Sequence, residues 1–389
     1  MKITGLETVI VNAEMRNWIF VKVITDDPGL IGWGEASLEW KTRAVVGAVK
    51  DFEPMVVGEN PLRIEHLYQK MYRQSFWRLG VIGMSAISAI EQALWDIKGK
   101  HLGKPVYELL GGKVREKVRM YTHLGGGKMA AVYETFEIDP LIDYAREVVS
   151  QGYTAVKVVF VPYSQPLEGI RKVKKFAGLM KELRQAIGDE IDIMVDFHGR
   201  TYPAMAIQYI NAIEDFAPFF CEEPVPPENE KALLEVRENV NVPIATGERL
   251  VTRHQFRPVF ENRACHIIQP DLCHCGGIFE ARKIAAMAEV YDMGIAPHNP
   301  MGPVANAVAL HFALSTPNFV IQEDMLMDVP WRWDVVQSDL TTEDGYWLSS
   351  DKPGLGIEVN EKEAQKYPFK QEIIHSTTIR AEDGAILDW

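Results

Sequence analysis

The sequence of 389 residues predicts an α/β fold in which parallel strands alternate with helices and close into a barrel, preceded by a smaller α+β unit. Short apolar runs recur through the second half of the chain, and each carries an ionisable residue at its C-terminal side: IMVDFHG, FFCEEP, PIATGE, HIIQPD, GIAPHN and FVIQE. Runs of this kind read as buried strands of four to six residues. The residues at their ends are Asp196, Glu222, Glu248, Asp271, His298 and Glu323, spaced by 26, 26, 23, 27 and 25 residues. That is the length of a strand, a loop, a helix of about three turns and a return loop. Residues 1–115 lack this repeat.

In the first unit, ETVIVNA, IFVKVIT and LIGWGEA read as an antiparallel meander, with DDPGLIG turning between the second and third. Helical patterns follow in VVGAVKDFEPMVVG, PLRIEHLYQKMYRQSFW and MSAISAIEQALWDIKGKHLG, where Gly103 stops the last helix and Pro105 opens a short one. Met84, Ile87, Ile90, Leu94 and Ile97 form a core-facing stripe at three- and four-residue steps. The segments VRMYTHLG and YTAVKVVF are expected as the first two barrel strands, with a helix over 141–150 between them. From Lys157 to Asp196 the step lengthens to 39 residues, filled by the helix EGIRKVKKFAGLMKELRQAIG after a candidate mouth loop, YSQPLEG. The expected organisation is an α+β cap over 1–115, a barrel over 116–330 and a terminal segment over 331–389.

With 47% hydrophobic and 24% charged residues the chain can bury an ample core, and no apolar run reaches the ~20 residues of a membrane span. The formal charge of −13 argues against nucleic acid or an anionic membrane as partner. The start MKITGLETVIVNA lacks the pattern of a signal peptide. Cys221, Cys265, Cys273 and Cys275 stand outside any disulfide-scaffold composition, which points to reduced thiols and a cytoplasmic protein. Cys273-His274-Cys275 has neither the spacing nor the second cysteine pair of a zinc site.

A barrel places every strand C-terminus at one mouth, where residues from different strands converge. Three carboxylates on consecutive strands, Asp196, Glu222 and Glu248, would repel one another there unless a cation cancels them, and an all-oxygen ligand set with room for water and substrate suits Mg²⁺. His298 is the candidate base. Asp271, on the preceding strand end, can bind one imidazole nitrogen and leave the other to take a proton. His198 stands two residues after Asp196, so strand alternation would turn both side chains to one face.

The segments DFHGR, CEEPVPPEN, ATGER, IIQPDLCHCGGI, APHNPMGP and IQE, together with ALWDIKGK and KPGLGIEV, resemble the enolase superfamily in its mandelate racemase subgroup, and within it the sugar-acid dehydratases. The likeness spans nearly the whole chain. It implies a modified TIM barrel, (β/α)7β, whose α+β cap is completed by the C-terminal tail. It also implies Mg²⁺-dependent β-elimination of water from an aldonate such as D-galactonate, through C2 proton abstraction and a stabilised enediolate, to a 2-keto-3-deoxy sugar acid. In that pattern Asp196, Glu222 and Glu248 hold the metal and the His298–Asp271 dyad removes the proton. His198 protonates the leaving 3-hydroxyl, and Glu323 is a hydrogen-bonding or protonated neighbour of the substrate carboxylate.

Racemases of the subgroup carry K-x-K at the end of the second strand. Here Lys157 is followed by Val159 at the second position, which cannot exchange a proton and argues for a one-sided base; Lys157 itself would neutralise barrel carboxylates. The competing readings are a racemase or epimerase of an α-hydroxy acid, a dehydratase for gluconate or another aldonate, and a non-catalytic sugar-acid sensor. No organic cofactor is expected; the expected partners are a small sugar acid and further copies of the chain. Glu223, Arg249 and Arg200 have no assignable role from spacing. Specificity is expected from the cap, around 14–19 and 39–43 with Trp18 and Trp40, and from the loop after the second barrel strand.

Overall fold

This computed structural model describes residues 1–125, 138–325, 328–349, 351–372 and 379–388. The alternating apolar runs at the start form strands β1 (Ile3–Ala13), β2 (Arg16–Thr25) and β3 (Ile31–Glu35), paired antiparallel in chain order. Helices α1 (Thr42–Val56), α2 (Ile64–Gln74), α3 (Gly80–Leu102) and α4 (Val106–Leu109) complete the cap. Gly32 and Gly34 let α3 lie directly on β3: a Cβ at either would come within 2.1 Å or 2.0 Å of the Ala93 or Ala89 carbonyl oxygen. The apolar stripe of α3 is buried as expected, but so are Ser85, Ser88, Glu91, Gln92 and Asp96 on its other faces. The helix is wedged between the cap sheet and the barrel, and its polar residues meet backbone groups rather than water.

The barrel strands are β4 (Lys117–His123), β5 (Ala155–Val158), β6 (Asp192–Asp196), β7 (Phe220–Glu222), β8 (Ile244–Thr246), β9 (Ile267–Ile268), β10 (Gly294–Ile295) and β11 (Gln322–Asp324). Each pairs parallel with the next from β4 to β10. A parallel bridge from Ile295 to Phe319 and the pairing of β11 with β4 close the ring. Between the strands run α5 (Ile138–Ser150), α6 (Ile170–Ile187), α7 (Pro203–Ile213), α8 (Glu230–Glu238), α9 (Thr252–Glu261), α10 (Gly277–Val290) and α11 (Pro303–Ser315). Eight strands and seven helices among the described residues make the (β/α)7β barrel. Tyr121, Ala155, Met194, Phe220, Ala245, Ala296 and Ile321 plug its interior beneath the mouth. No described helix is long and apolar enough to cross a membrane.

Several strands are shorter than the expected four to six residues, with β9 and β10 only two each. Pro270 and Pro297 lack the N–H that would continue the ladder, so Asp271 and His298 stand in the loops, three residues past the last residue of each strand.

The terminal segment divides its contacts. Strands β12 (Val336–Ser338) and β15 (Ile357–Val359) pair with each other, and the hairpin of β13 (Thr341–Glu343) and β14 (Tyr346–Leu348) pairs with β4 of the barrel. Other bonds return to the cap: Leu355 N donates to Asp96 Oδ1 (2.8 Å), Trp33 Nε1 to Glu358 Oε2 (3.1 Å) and Asn17 N to Glu372 Oε1 (3.0 Å). The short α12 (Glu361–Ala364) packs beside β1.

Two buried carboxylates of the cap fasten it to the barrel by occupying helix N-termini, where unpaired N–H groups favour an anion. Glu91 accepts from Ile278 N (2.9 Å), Phe279 N (3.0 Å) and Trp95 Nε1 (2.7 Å) at the start of α10. Glu35 accepts from Gly302 N (2.7 Å) and Ala305 N (2.8 Å) at the start of α11. Glu91→Ala strips three buried donors of their acceptor and is expected to cost roughly 3 kcal/mol. Thermal or urea denaturation reads this directly, and an unchanged midpoint would remove Glu91 from the docking interface.

Candidate active site

Six of the eight barrel strands deliver a polar residue to one cavity of about 400 Å³ between cap and barrel, while Glu222 and Asp271 stand behind its wall. The barrel side includes His123, Lys157, Asp196, His198, Glu248 and His298. The cap side includes Met15, Arg16, Leu38, Glu39, Trp40 and Val81.

Oxygen atoms of Asp196, Glu222 and Glu248 lie within 4.8 Å of one another, with Asp196 and Glu222 wholly buried. Lys157, from β5, sits among them with Nζ 3.3 Å from Asp196 Oδ2, 3.1 Å from Glu222 Oε2 and 2.7 Å from Glu323 Oε1. Burial and then the charge of Asp196 push the Glu222 carboxyl well above the usual carboxylate range, while Lys157 pulls it back. Asp196 Oδ2 and Glu248 Oε2 are buried oxygens to which no hydrogen bond is directed. A hard, all-oxygen donor set clustered this closely, with charged neighbours but no hydrogen bond on these two oxygens, fits a divalent cation.

His298 Nδ1 is 2.8 Å from Asp271 Oδ2, and Cys273 N donates to Asp271 Oδ1 at 2.6 Å. The carboxylate is thereby oriented, and it holds the proton on Nδ1 while Nε2 faces Glu248 Oε2 at 3.3 Å. Burial disfavours charge on the ring, but Glu248 first, then the Asp271 hydrogen bond, outweigh it and raise the His298 pKa to about 10. A cation that takes up the charge of Glu248 withdraws the strongest of these raising influences, as a neutral base requires.

His198 reaches the cavity by a route other than strand alternation. β6 stops at Asp196, and His198 adopts φ 49°, in a turn where its N–H donates to Asp196 Oδ1 at 2.9 Å. Its Nε2 lies 3.2 Å from Asp196 Oδ2. Glu323, expected as a hydrogen-bonding or protonated neighbour of the substrate carboxylate, lines the cavity beside Lys157. Burial raises its pKa, yet Lys157 and then His298 hold the carboxyl below its ordinary value, and Asn299 N donates to Oε2 at 2.8 Å.

Sequence reasoning passed over His123, at the end of β4, although the rule of a polar residue at each strand end, applied to the first barrel strand, would have found it. Gly125 N donates to its Nδ1 (2.9 Å), and burial drives its pKa down to about 3. His274 also lines the cavity, with Nδ1 2.8 Å from Ser85 Oγ, while Cys273 and Cys275 are buried free thiols. Arg249 is tied to Glu223 at 2.6 Å, and Arg200 has its Nη1 on the Val161 carbonyl (3.1 Å). The Arg16–Glu39 pair on the cap was not anticipated either.

The barrel and its strand-end groups define the class: a (β/α)7β fold that gathers a carboxylate cluster suited to a divalent cation and a histidine–aspartate pair at one mouth. Residues 141–363 match the family described as enolase C-terminal domain-like, and residues 4–111 match the N-terminal domain of mandelate racemase and muconate lactonizing enzyme. The chain belongs to this mandelate racemase/muconate lactonizing enzyme family of the enolase superfamily. It is 37% identical over 396 residues to the D-galactonate dehydratase of Pectobacterium atrosepticum, and 39% identical over 399 residues to that of Xanthomonas euvesicatoria, with 100% of each chain covered. Among solved structures, an enolase superfamily member from Salmonella Typhimurium superposes with TM-score 0.88 at 35% identity, covering 94% of this chain and 98% of the other. A mandelate racemase/muconate lactonizing enzyme-like protein from Roseovarius sp. TM1035 gives TM-score 0.88 at 36% identity over 96% and 97% of the two chains.

The carboxylate cluster predicts that a divalent cation, titrated into metal-stripped protein, stabilises the fold by about 3 kcal/mol at a hundredfold excess over its Kd. The Asp196→Asn variant is expected to lose most of that gain in a thermal-shift titration. An equal gain in the variant would place the cation elsewhere.

Proposed function

We propose that the protein dehydrates an aldonate of the D-galactonate type to a 2-keto-3-deoxy sugar acid, with Mg²⁺ as its metal. The observation that carries this reading is the pairing of an oriented imidazole, His298 on Asp271, with a carboxylate cation site at 3.3 Å and a second imidazole on the far wall. Near-complete coverage by two D-galactonate dehydratases supports the substrate class.

Asp196, Glu222 and Glu248 would hold the metal, and their hard oxygen donors suit Mg²⁺. When bound, Mg²⁺ offsets the second negative charge that develops beside the substrate carboxylate as the C2 proton leaves. His298 takes that proton on Nε2, with Asp271 fixing the tautomer and steadying the imidazolium that forms. Lys157 and Glu323 shape the charge on the side of the substrate carboxylate. His198 delivers a proton to the 3-hydroxyl as it departs.

The ring order explains the division of labour. β6, which leads into His198, and β10, which leads into His298, are four strands apart in a ring of eight, so the two imidazoles stand on opposite walls of the mouth. Val159 is buried and apolar where a two-base racemase would need a second proton carrier.

An aldonate panel assayed with Mg²⁺ for keto-acid by semicarbazide is expected to yield product from at least one member, and silence across the panel would sink the reading. His298→Asn is expected to reduce product formation by about 10²- to 10⁴-fold and to abolish exchange of the C2 proton with solvent. His198→Asn should lose product in the same range while retaining exchange. Exchange that survives in His298→Asn would give the base to another residue.

A further inference from the structure

The cap wall of the cavity carries a charged pair that the proposed reaction does not use. Arg16 opens β2 immediately after the β1–β2 turn, and its guanidinium pairs with the Glu39 carboxylate, which lies on the loop between β3 and α1. The arginine side chain is 5% exposed and the glutamate 18% exposed, and both line the cavity. The pair is held from behind. The Glu372 carboxylate accepts from Asn17 N at 3.0 Å and from Thr42 Oγ1 at 3.1 Å, tying the strand that follows Arg16 to the helix start that follows Glu39. Asn17 Nδ2 donates to the Lys370 carbonyl at 2.8 Å.

The other strong cations on the cavity are engaged in the same way. Arg249 is bound to Glu223 and Lys157 to three carboxylates. Among the described residues, every arginine and lysine lining the cavity therefore has its charge met by protein. On the dehydratase reading a substrate's single carboxylate would find its counter-charge at the metal. At the cap end a second carboxylate would find a guanidinium already neutralised and an acceptor-only Glu39 beside it, which repels it. A hydroxyl both donates and accepts, and so can satisfy the remaining N–H groups of Arg16 and the free lone pairs of Glu39.

We propose that the Arg16–Glu39 pair is the specificity determinant that admits sugar acids with one carboxylate and an uncharged polyol tail and rejects their dicarboxylate counterparts. This rests on the dehydratase reading and assigns its discrimination to two cap residues. Rejection here works by an unfavourable charge contact built against the wrong substrate, rather than by lost contacts to the right one.

The test compares kcat/KM, with Mg²⁺ present, for a six-carbon aldonate that the enzyme turns over and for the aldarate of the same configuration. The wild type is expected to favour the aldonate by at least about tenfold. Glu39→Gln, which frees the guanidinium charge, is expected to narrow that ratio by at least about fivefold, and Glu39→Asp to restore it. A merely structural role would depress both substrates in proportion. That outcome overturns the proposal, as does a wild type that accepts the dicarboxylate equally well while dehydrating both. Silence toward every sugar acid would overturn the dehydratase reading and this inference with it.

Discussion

The crowding of carboxylates at the barrel mouth is the constraint to which the rest of the site answers. Asp196, Glu222, Glu323 and Asp271 are all buried to within 1% of full enclosure, and Glu248 joins them at the edge of the cavity. In a medium of low effective dielectric, like charges at such separations repel by several kcal/mol, and one lysine cannot offset them all. Lys157 meets three of the five. The remaining excess explains two features together: the oxygens of Asp196 and Glu248 left without hydrogen bonds, and the high basicity of His298. Both are consequences of a negative field that a divalent cation would discharge.

The cap acts on that field at one remove. The helices whose N-termini receive Glu91 and Glu35 are α10 and α11, which follow the loops carrying Asp271 and His298. Between Asp271 and α10, Gln92 Nε2 donates to the Leu272 carbonyl (2.8 Å), Ser85 Oγ meets His274 and Ser88 Oγ accepts from Gly276 N (3.0 Å). The loop after the dyad aspartate is thus pinned almost residue by residue to α3. On the proposed reading the base must keep one nitrogen on a carboxylate and aim the other at a C–H bond, which needs both loops held, and docking the cap holds them.

The barrel was legible because its information is periodic. Apolar runs at steps of 23 to 27 residues disclosed the strands, and the polar residue after each run disclosed the mouth. The prolines that shorten β9 and β10 were visible in the sequence, but they alter where the ladder ends rather than which residues reach the mouth. His198 came to the expected place through a left-handed turn that alternation does not describe. The Lys157–Glu323 ion pair was hidden because it joins side chains two strands apart in the ring order. The Arg16–Glu39 pair was hidden for a similar reason: it joins a turn and a loop 23 residues apart, and their approach is set by the tail through Glu372. Backbone ladders leave a repeat in the sequence, whereas contacts made by side chains across domains leave none.

The placement of Lys157 bears on the direction of the proposed chemistry. A lysine that acts as a base must lose its proton at neutral pH, which requires a pKa brought down by burial or by neighbouring positive charge. Burial does disfavour the Lys157 ammonium, but Glu222, then Glu323, Tyr121 and Asp196, outweigh it and drive its pKa well above the ordinary value. Its ammonium is therefore a fixed charge, and the apolar Val159 beyond it adds no carrier. The two walls of the mouth are chemically unequal, with an imidazole oriented by Asp271 on one and an imidazole beside Asp196 on the other. On the proposed reading His298 takes the proton at one wall, and His198, at the other, is the one further proton carrier in use. Elimination rather than inversion therefore turns on His198 giving its proton to the neighbouring hydroxyl and not to the carbon that lost one.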